Sequence, residues 1–198
     1  MMAHILGGVA RSFLVALALL LAACAPAPAR LSGTELDGSI APDFTLQDGI
    51  SGTAVTLSSL RGSTVAMAFL YTHCPDVCPL TAANFRAAQR SLGSDAARVR
   101  FVAVSVDPEG DTPQAVQAFS SAHDLSTNWY YLIGLRAQLQ QVWSAYGIGS
   151  FSAGPGMAVQ HNDAIYVIDA SGRERELVHS DTKFSDLVSD LRAVLKSP

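Results

Sequence analysis

Charge is scarce in this 198-residue chain: Asp, Glu, Lys and Arg together make up 15% of it, against roughly 25% in an average soluble protein. No block of lysines or arginines occurs anywhere, so a nucleic-acid footprint is missing and anionic lipid headgroups find no basic patch. Long apolar runs are absent too. The longest, whose core is Phe13 to Ala22, is too short to cross a bilayer as a helix. Cysteine is limited to Cys24, Cys74 and Cys78, which excludes a disulfide-dense scaffold. There is no internal repeat, and the length suits one domain with a sizeable core.

The amino terminus accounts for part of the charge deficit. Residues 1–12 carry Arg11 and no acid, the apolar run follows, and small residues close it. This is the pattern of a signal peptide, so the protein is expected to be exported. Leu21-Ala22-Ala23-Cys24 resembles the lipobox of bacterial lipoproteins, which makes residues 1–23 a lipoprotein signal peptide and Cys24 the acylated anchor. An ordinary signal peptide cut after Ala23 is the alternative. Without residues 1–23 the net charge is −5, because one of 13 basic residues and none of the 17 acidic ones is lost. Residues 24–40, opening Ala25-Pro26-Ala27-Pro28, have the composition of a tether. Residues 41–198 then form the domain, with Cys74 and Cys78 as its thiols.

Those two thiols lie in Tyr71-Thr72-His73-Cys74-Pro75-Asp76-Val77-Cys78-Pro79. Each proline pushes the residue before it towards extended backbone, which predicts a loop with neither cysteine inside regular helix. Pro75 and Asp76 suit the centre of a turn that brings the sulfurs together. Pro79 suits the first turn of a helix, and its positive end is expected to lower the Cys78 pKa. In an exported protein the default for such a pair is a disulfide.

Around this loop, strand and helix alternate. Phe44–Leu46 and Val55–Leu57 read as a hairpin, and Thr64–Leu70 as a strand buried on both faces. Leu80, Phe85, Ala88 and Leu92 recur at helical spacing, closed by Gly93. Val99–Val106 is a second buried strand, after which Asp111 or Thr112 can cap a helix begun at Pro113, with Val116, Phe119 and Ala122 inward. Trp129–Ile133 predicts a strand, and Leu135, Leu139, Val142 and Tyr146 a helix stripe. Gly147–Gln160, with four glycines and Pro155, reads as a long mobile loop. Ala164–Asp169 and Glu174–Val178 read as a hairpin, and Phe184 to Leu195 as a last helix. The fold class is α/β: a thioredoxin-like mixed sheet flanked by helices, with an added N-terminal hairpin and the functional loops outside the carboxyl ends of the parallel strands.

Two thiolates and an imidazole form a soft ligand set suited to copper or zinc. His161, at the end of the glycine-rich segment, is the candidate imidazole, although a lone histidine beside a strand is more often a surface or core residue. His73 adjoins Cys74 but is expected to point the other way; His123 and His179 are expected to face solvent. Asp107 can cap a turn or hydrogen-bond the His161 imidazole and fix its tautomer. Met157 can offer a thioether or be an ordinary loop residue.

The Tyr71–Pro79 stretch, Val104-Ser105-Val106-Asp107-Pro108-Glu109-Gly110-Asp111-Thr112-Pro113, and Val159-Gln160-His161 leading to Tyr166-Val167-Ile168-Asp169 and Gly172 together resemble the Sco/SenC family, in the same order over residues 41–195. The resemblance implies a membrane-tethered thioredoxin-like monomer that binds copper, Cu(I) or Cu(II), through Cys74, Cys78 and His161. As a metallochaperone it would help assemble the copper centre of cytochrome c oxidase, with the oxidase's copper-centre subunit as partner and another copper chaperone as a possible donor. The alternative is a thiol-disulfide reductase in which Cys74 and Cys78 act on the copper-ligand cysteines of that partner. Three positions depart from the family pattern: Gly110 where arginine is common, Asn162 where a small hydroxyl residue often follows the histidine, and Ala170 where proline often precedes the turn. The lipid at Cys24 replaces the transmembrane helix of many relatives, and places the domain in the periplasm or at the cell exterior.

Overall fold

Seven consecutive apolar-rich residues, Thr64–Leu70, are all buried, and the rest of the sheet is assembled around them. The computed structural model describes residues 30–125, 127–152, 159–179 and 182–196. The expected signal peptide, Cys24 and Met157 lie outside these. Ten strands occur among the described residues: β1 Thr34–Glu35, β2 Thr45–Asp48, β3 Ala54–Thr56, β4 Thr64–Leu70, β5 Val99–Ser105, β6 Trp129–Ile133, β7 Ser150–Ser152, β8 Val159–His161, β9 Ile165–Ile168 and β10 Glu174–Val178. Four helices join them: α1 Val77–Leu92, α2 Pro113–Ala122, α3 Arg136–Ala145 and α4 Phe184–Lys196. None is long and apolar enough to cross a membrane.

Eight strands make one mixed sheet in the order β1-β10-β9-β4-β5-β6-β2-β3. β4–β5 and β5–β6 are parallel, while β9 runs antiparallel to β4, with Ala68 opposite Ile165 and Val65 opposite Ile168. The β2–β3 hairpin pairs through β2 onto β6. Strand alternation separates the two faces. On one face Phe85 of α1 meets Phe101 at 5.1 Å and Trp129 at 6.2 Å between ring centroids, and Phe119 of α2 meets Tyr131 at 5.8 Å. Phe69, opposite Val104 on the other pleat, meets Tyr146 at the end of α3 at 5.8 Å. Each such buried aromatic contributes about 1.5–3 kcal/mol relative to exposure.

Several expectations change in detail. α1 begins at Val77, so Cys78 is its second residue rather than part of a loop. Pro79 still fits, because the first four amides of a helix have no intrahelical acceptor. Gly93, at φ 59°, ends the helix in a conformation that favours glycine. Thr112, not Asp111, caps α2, its hydroxyl accepting from the Ala115 amide at 3.2 Å, worth about 1 kcal/mol. Leu80, Leu135 and Phe184 are exposed, as is Ala122; helical spacing marks a face but not how far its edges reach the sheet. Part of the stretch with tether composition is docked: β1 pairs with β10, and Ile40 bridges to Arg173. Unpaired amides at the β10 edge accept a neighbour whatever its side chains.

Candidate metal centre

Because β4 and β5 are parallel, the loops that follow them emerge at the same edge of the sheet. β9 is antiparallel to β4, so the chain entering β9, which includes His161, arrives at that edge as well. Three sequence segments far apart in the chain therefore meet.

At the end of β4, Tyr71 is buried and its carbonyl accepts from the Cys74 amide at 3.3 Å. This turn tucks Cys74 inward, 9% exposed, beside fully buried Cys78. Both are free thiols. The Cys78 thiol donates to the Cys74 sulfur, and this hydrogen bond, helped against burial by the amides of Asp76 and Cys78 and by the Tyr71 hydroxyl, lowers the Cys74 pKa to about 5. Asp76 precedes α1 with no side-chain cap, so the Cys74 sulfur takes the capping role. Cys78 is displaced the opposite way: donating to Cys74 and burial both raise its pKa. The helix end thus favours a thiolate at Cys74, not at Cys78 as the helix position in the sequence predicts. Burial, and then the neighbouring Cys74 charge, push Tyr71 up to about 12.

His161 ends β8, which pairs with β7 as a short ribbon, Ser150 opposite His161. The ends of the segment predicted as a mobile loop are therefore strand; residues 153–158 lie outside the described residues. Asn162 ties the base of the ribbon, accepting from the Gly149 amide at 2.6 Å and donating to the Gly147 carbonyl at 3.2 Å. The Nδ1 of His161 is 3.0 Å from the Asn162 carbonyl. A carbonyl only accepts, so in the neutral imidazole this contact selects the tautomer with the proton on Nδ1, which leaves the Nε2 lone pair for a metal. The His161 ring meets the Tyr71 ring edge-on, at 5.9 Å and 81°. Tyr71 therefore touches both the cysteine pair and the histidine.

The remaining candidates separate. His73 is exposed, whereas Cys74 is buried, and the His73 Nδ1 lies 3.0 Å from the Thr72 hydroxyl. His123 is half-buried against Phe119, 4.6 Å between rings, and this burial lowers its pKa; the expectation that it faces solvent overlooked its place at the end of α2. His179 is exposed, beside the Asp163 carbonyl. Asp107 groups with His73 and Asp111, while the Nδ1 contact of His161 is to Asn162. A polypeptide carbonyl thus occupies the position expected for the Asp107 carboxylate.

Sequence reasoning missed several residues. Asp111 is buried, accepting from the Thr72 amide (2.8 Å), the Ser105 hydroxyl (2.6 Å) and the Tyr131 hydroxyl (3.2 Å), which fastens the loop after β5 to the cysteine loop. Trp143 donates to the Ser105 carbonyl at 2.9 Å. Nothing local in the sequence marks these partners, although a buried-strand pattern running straight into an acidic loop was a signal that some of its carboxylates face inward.

Known proteins match this arrangement. The SCO1/SenC family profile matches residues 32–196. An SCO1 protein homolog of Bacillus subtilis is 28% identical over 159 residues, covering 76% of this chain and 80% of its own. The apo Sco1 protein of Thermus thermophilus superposes with a TM-score of 0.75 at 29% identity, covering 86% of this chain and all of that one. ScoI of Bradyrhizobium japonicum, solved with copper bound, superposes with a TM-score of 0.70 at 31% identity, covering 79% and 100%. The family match spans both the cysteine loop and the His161 segment, on a thioredoxin-like scaffold, and the chain belongs to the SCO1/SenC family.

Proposed function

We propose that the protein is a copper metallochaperone in which Cys74, Cys78 and His161 take the ion and which assists assembly of the copper centre of cytochrome c oxidase. The observation that carries this reading is the convergence, through Tyr71, of the hydrogen-bonded thiol pair and an imidazole whose Nδ1 is engaged by the Asn162 carbonyl. Two sulfurs and one imidazole suit copper in either common oxidation state and offer little to magnesium or calcium. A relative of this fold has been solved with copper bound. Copper is cargo here: it arrives from a donor, another copper chaperone, and leaves to the copper-centre subunit. The protein acts as a monomer, exported and held at the membrane through lipid on Cys24, facing the periplasm or cell exterior.

The test is copper stoichiometry on the reduced and oxidised chain. The reduced form is expected to bind one copper per chain at this site, and the oxidised form to bind it poorly, because a disulfide consumes both thiolates. Equal binding by both forms would remove the cysteines from the site. His161→Ala is expected to weaken copper by at least tenfold, leaving the ability to form the Cys74–Cys78 disulfide intact.

A second reading is favoured by the low pKa of Cys74. Its thiolate attacks one sulfur of a disulfide on the partner, forming a mixed disulfide and releasing a partner thiolate. Cys78 then loses its proton and attacks the Cys74 sulfur, releasing the second partner thiolate. The partner gains two electrons and this chain is left as the Cys74–Cys78 disulfide. Reduction of the partner's copper-ligand cysteines by the metal-free protein, abolished in Cys74→Ser, is the measurement that supports it.

A further inference from the structure

Beside the thiol pair lies a second constellation. One ligand atom each from His73, Asp107 and Asp111 lies within 4.8 Å of the others. His73 comes from the loop after β4, and the two aspartates from the loop after β5. Asp111 is held in place by the Thr72 amide, the Ser105 hydroxyl and the Tyr131 hydroxyl, so one ligand of the set is fixed and buried. The Asp107 carboxylate lies close against the backbone of Gly110, where a Cβ would stand 2.1 Å from its Oδ2. His73 is exposed, with its Nδ1 3.0 Å from the Thr72 hydroxyl.

Charge is the second, independent argument. Two carboxylates, one of them only 3% exposed, lie together, yet neither belongs to any ion pair among the described residues, which join Arg86 and Arg90 to Asp124, Arg98 to Asp95, Arg136 to Glu109 and Arg175 to Asp169. Arg136 senses the Asp107 charge, but its guanidinium is engaged by Glu109. Three hydrogen-bond donors hold Asp111, but a cation is what two adjacent carboxylates still lack, and their neighbour is an imidazole, a metal ligand.

We propose that His73, Asp107 and Asp111 form a second metal site, for a divalent ion of borderline hardness such as zinc, that clasps the cysteine loop to the loop after β5. One nitrogen and two oxygens differ from the soft sulfur-rich set at Cys74 and Cys78. An ion with bonds of about 2.1 Å spaces its ligands by roughly 3–4 Å, so the three groups draw in slightly on the ion and water completes the set. This site does not depend on the copper reading, since it uses none of the same ligands.

The test uses the full chain in detergent with Cys24→Ala, Cys74→Ala and Cys78→Ala, which removes every thiol, and zinc as the probe in calorimetry. One zinc per chain is expected. His73→Ala and Asp107→Asn are each expected to weaken it at least tenfold, and His179→Ala to leave it unchanged. Should the thiol-free chain fail to fold, the oxidised chain carrying its cysteines serves, read as a zinc-dependent rise in melting temperature that His73→Ala abolishes. Absence of zinc binding, or binding that His73→Ala leaves intact, would overturn the proposal, and neither result bears on copper at the thiol pair.

Discussion

The ring of Tyr71 stands edge-on to the imidazole of His161, 5.9 Å between centroids, while its hydroxyl hydrogen-bonds the sulfur of Cys74. One side chain at the end of β4 thus buttresses the histidine and stabilises the thiolate.

Tyr71→Phe separates these two roles. The ring stays and the hydroxyl is lost, so the Cys74 thiolate loses one donor and its pKa rises from about 5. A hydrogen bond to an ion contributes about 1.5 kcal/mol and 1.36 kcal/mol is one pH unit, so the midpoint of alkylation rate against pH is expected to move up by roughly one unit. An unmoved midpoint would mean that Cys78 and the helix amides alone set the Cys74 pKa.

Asn162→Ala tests whether the ribbon base positions His161. It removes the contacts to Gly147 and Gly149 but touches neither thiol. Copper affinity is expected to fall by about three- to tenfold, as for a lost partner that orients a metal ligand, with the thiol pKa values unchanged. A fall as large as that of His161→Ala, or none, would show that Asn162 does not act by orientation.

Glu176 gives the stability a pH dependence. It lies fully buried on β10, accepting from the Gly33 amide at 2.5 Å, and burial, with Asp190 opposite, pushes its pKa up to about 7 from an ordinary 4.5. Below pH 4.5 the folded and unfolded chains both hold the proton. Between 4.5 and 7 only the folded chain does, so stability falls as pH rises through this window, and above 7 the penalty is complete. Glu176→Gln is therefore expected to flatten the slope between pH 5 and 7 and to raise stability at pH 8 by about 1–2 kcal/mol, a few degrees in melting temperature. Thermal unfolding of both proteins from pH 4 to 8 decides; an unchanged slope assigns the dependence to other groups.

Membrane attachment is tested by Cys24→Ser. If lipid on Cys24 is the anchor, the variant is expected to leave the membrane fraction; retention through carbonate washing points to an uncleaved apolar helix instead.

The sequence by itself determined most of the secondary-structure elements and where the cysteine loop falls among them. The apolar-rich runs at Thr64–Leu70 and Val99–Ser105 are explained by burial on both faces, the Trp129–Ile133 strand matches its predicted bounds, and both predicted hairpins pair. Periodicity depends on near neighbours, so it survives without knowledge of the fold. What it does not carry is the relation between distant segments. The polarity of the Cys74–Cys78 hydrogen bond, which makes Cys74 rather than Cys78 the thiolate, depends on which sulfur the turn at Tyr71 aims at the helix end. The assignment of Asp107 to His73 and Asp111, rather than to His161, follows from how two parallel loops emerge side by side. His161 reaches the cysteine edge because β9 pairs antiparallel with β4; were that strand reversed, the same sequence would hold the histidine at the opposite end of the sheet. Only tertiary structure could decide these, because strand direction and loop approach are set by pairings between residues some hundred positions apart, through backbone hydrogen bonds that no side-chain pattern records.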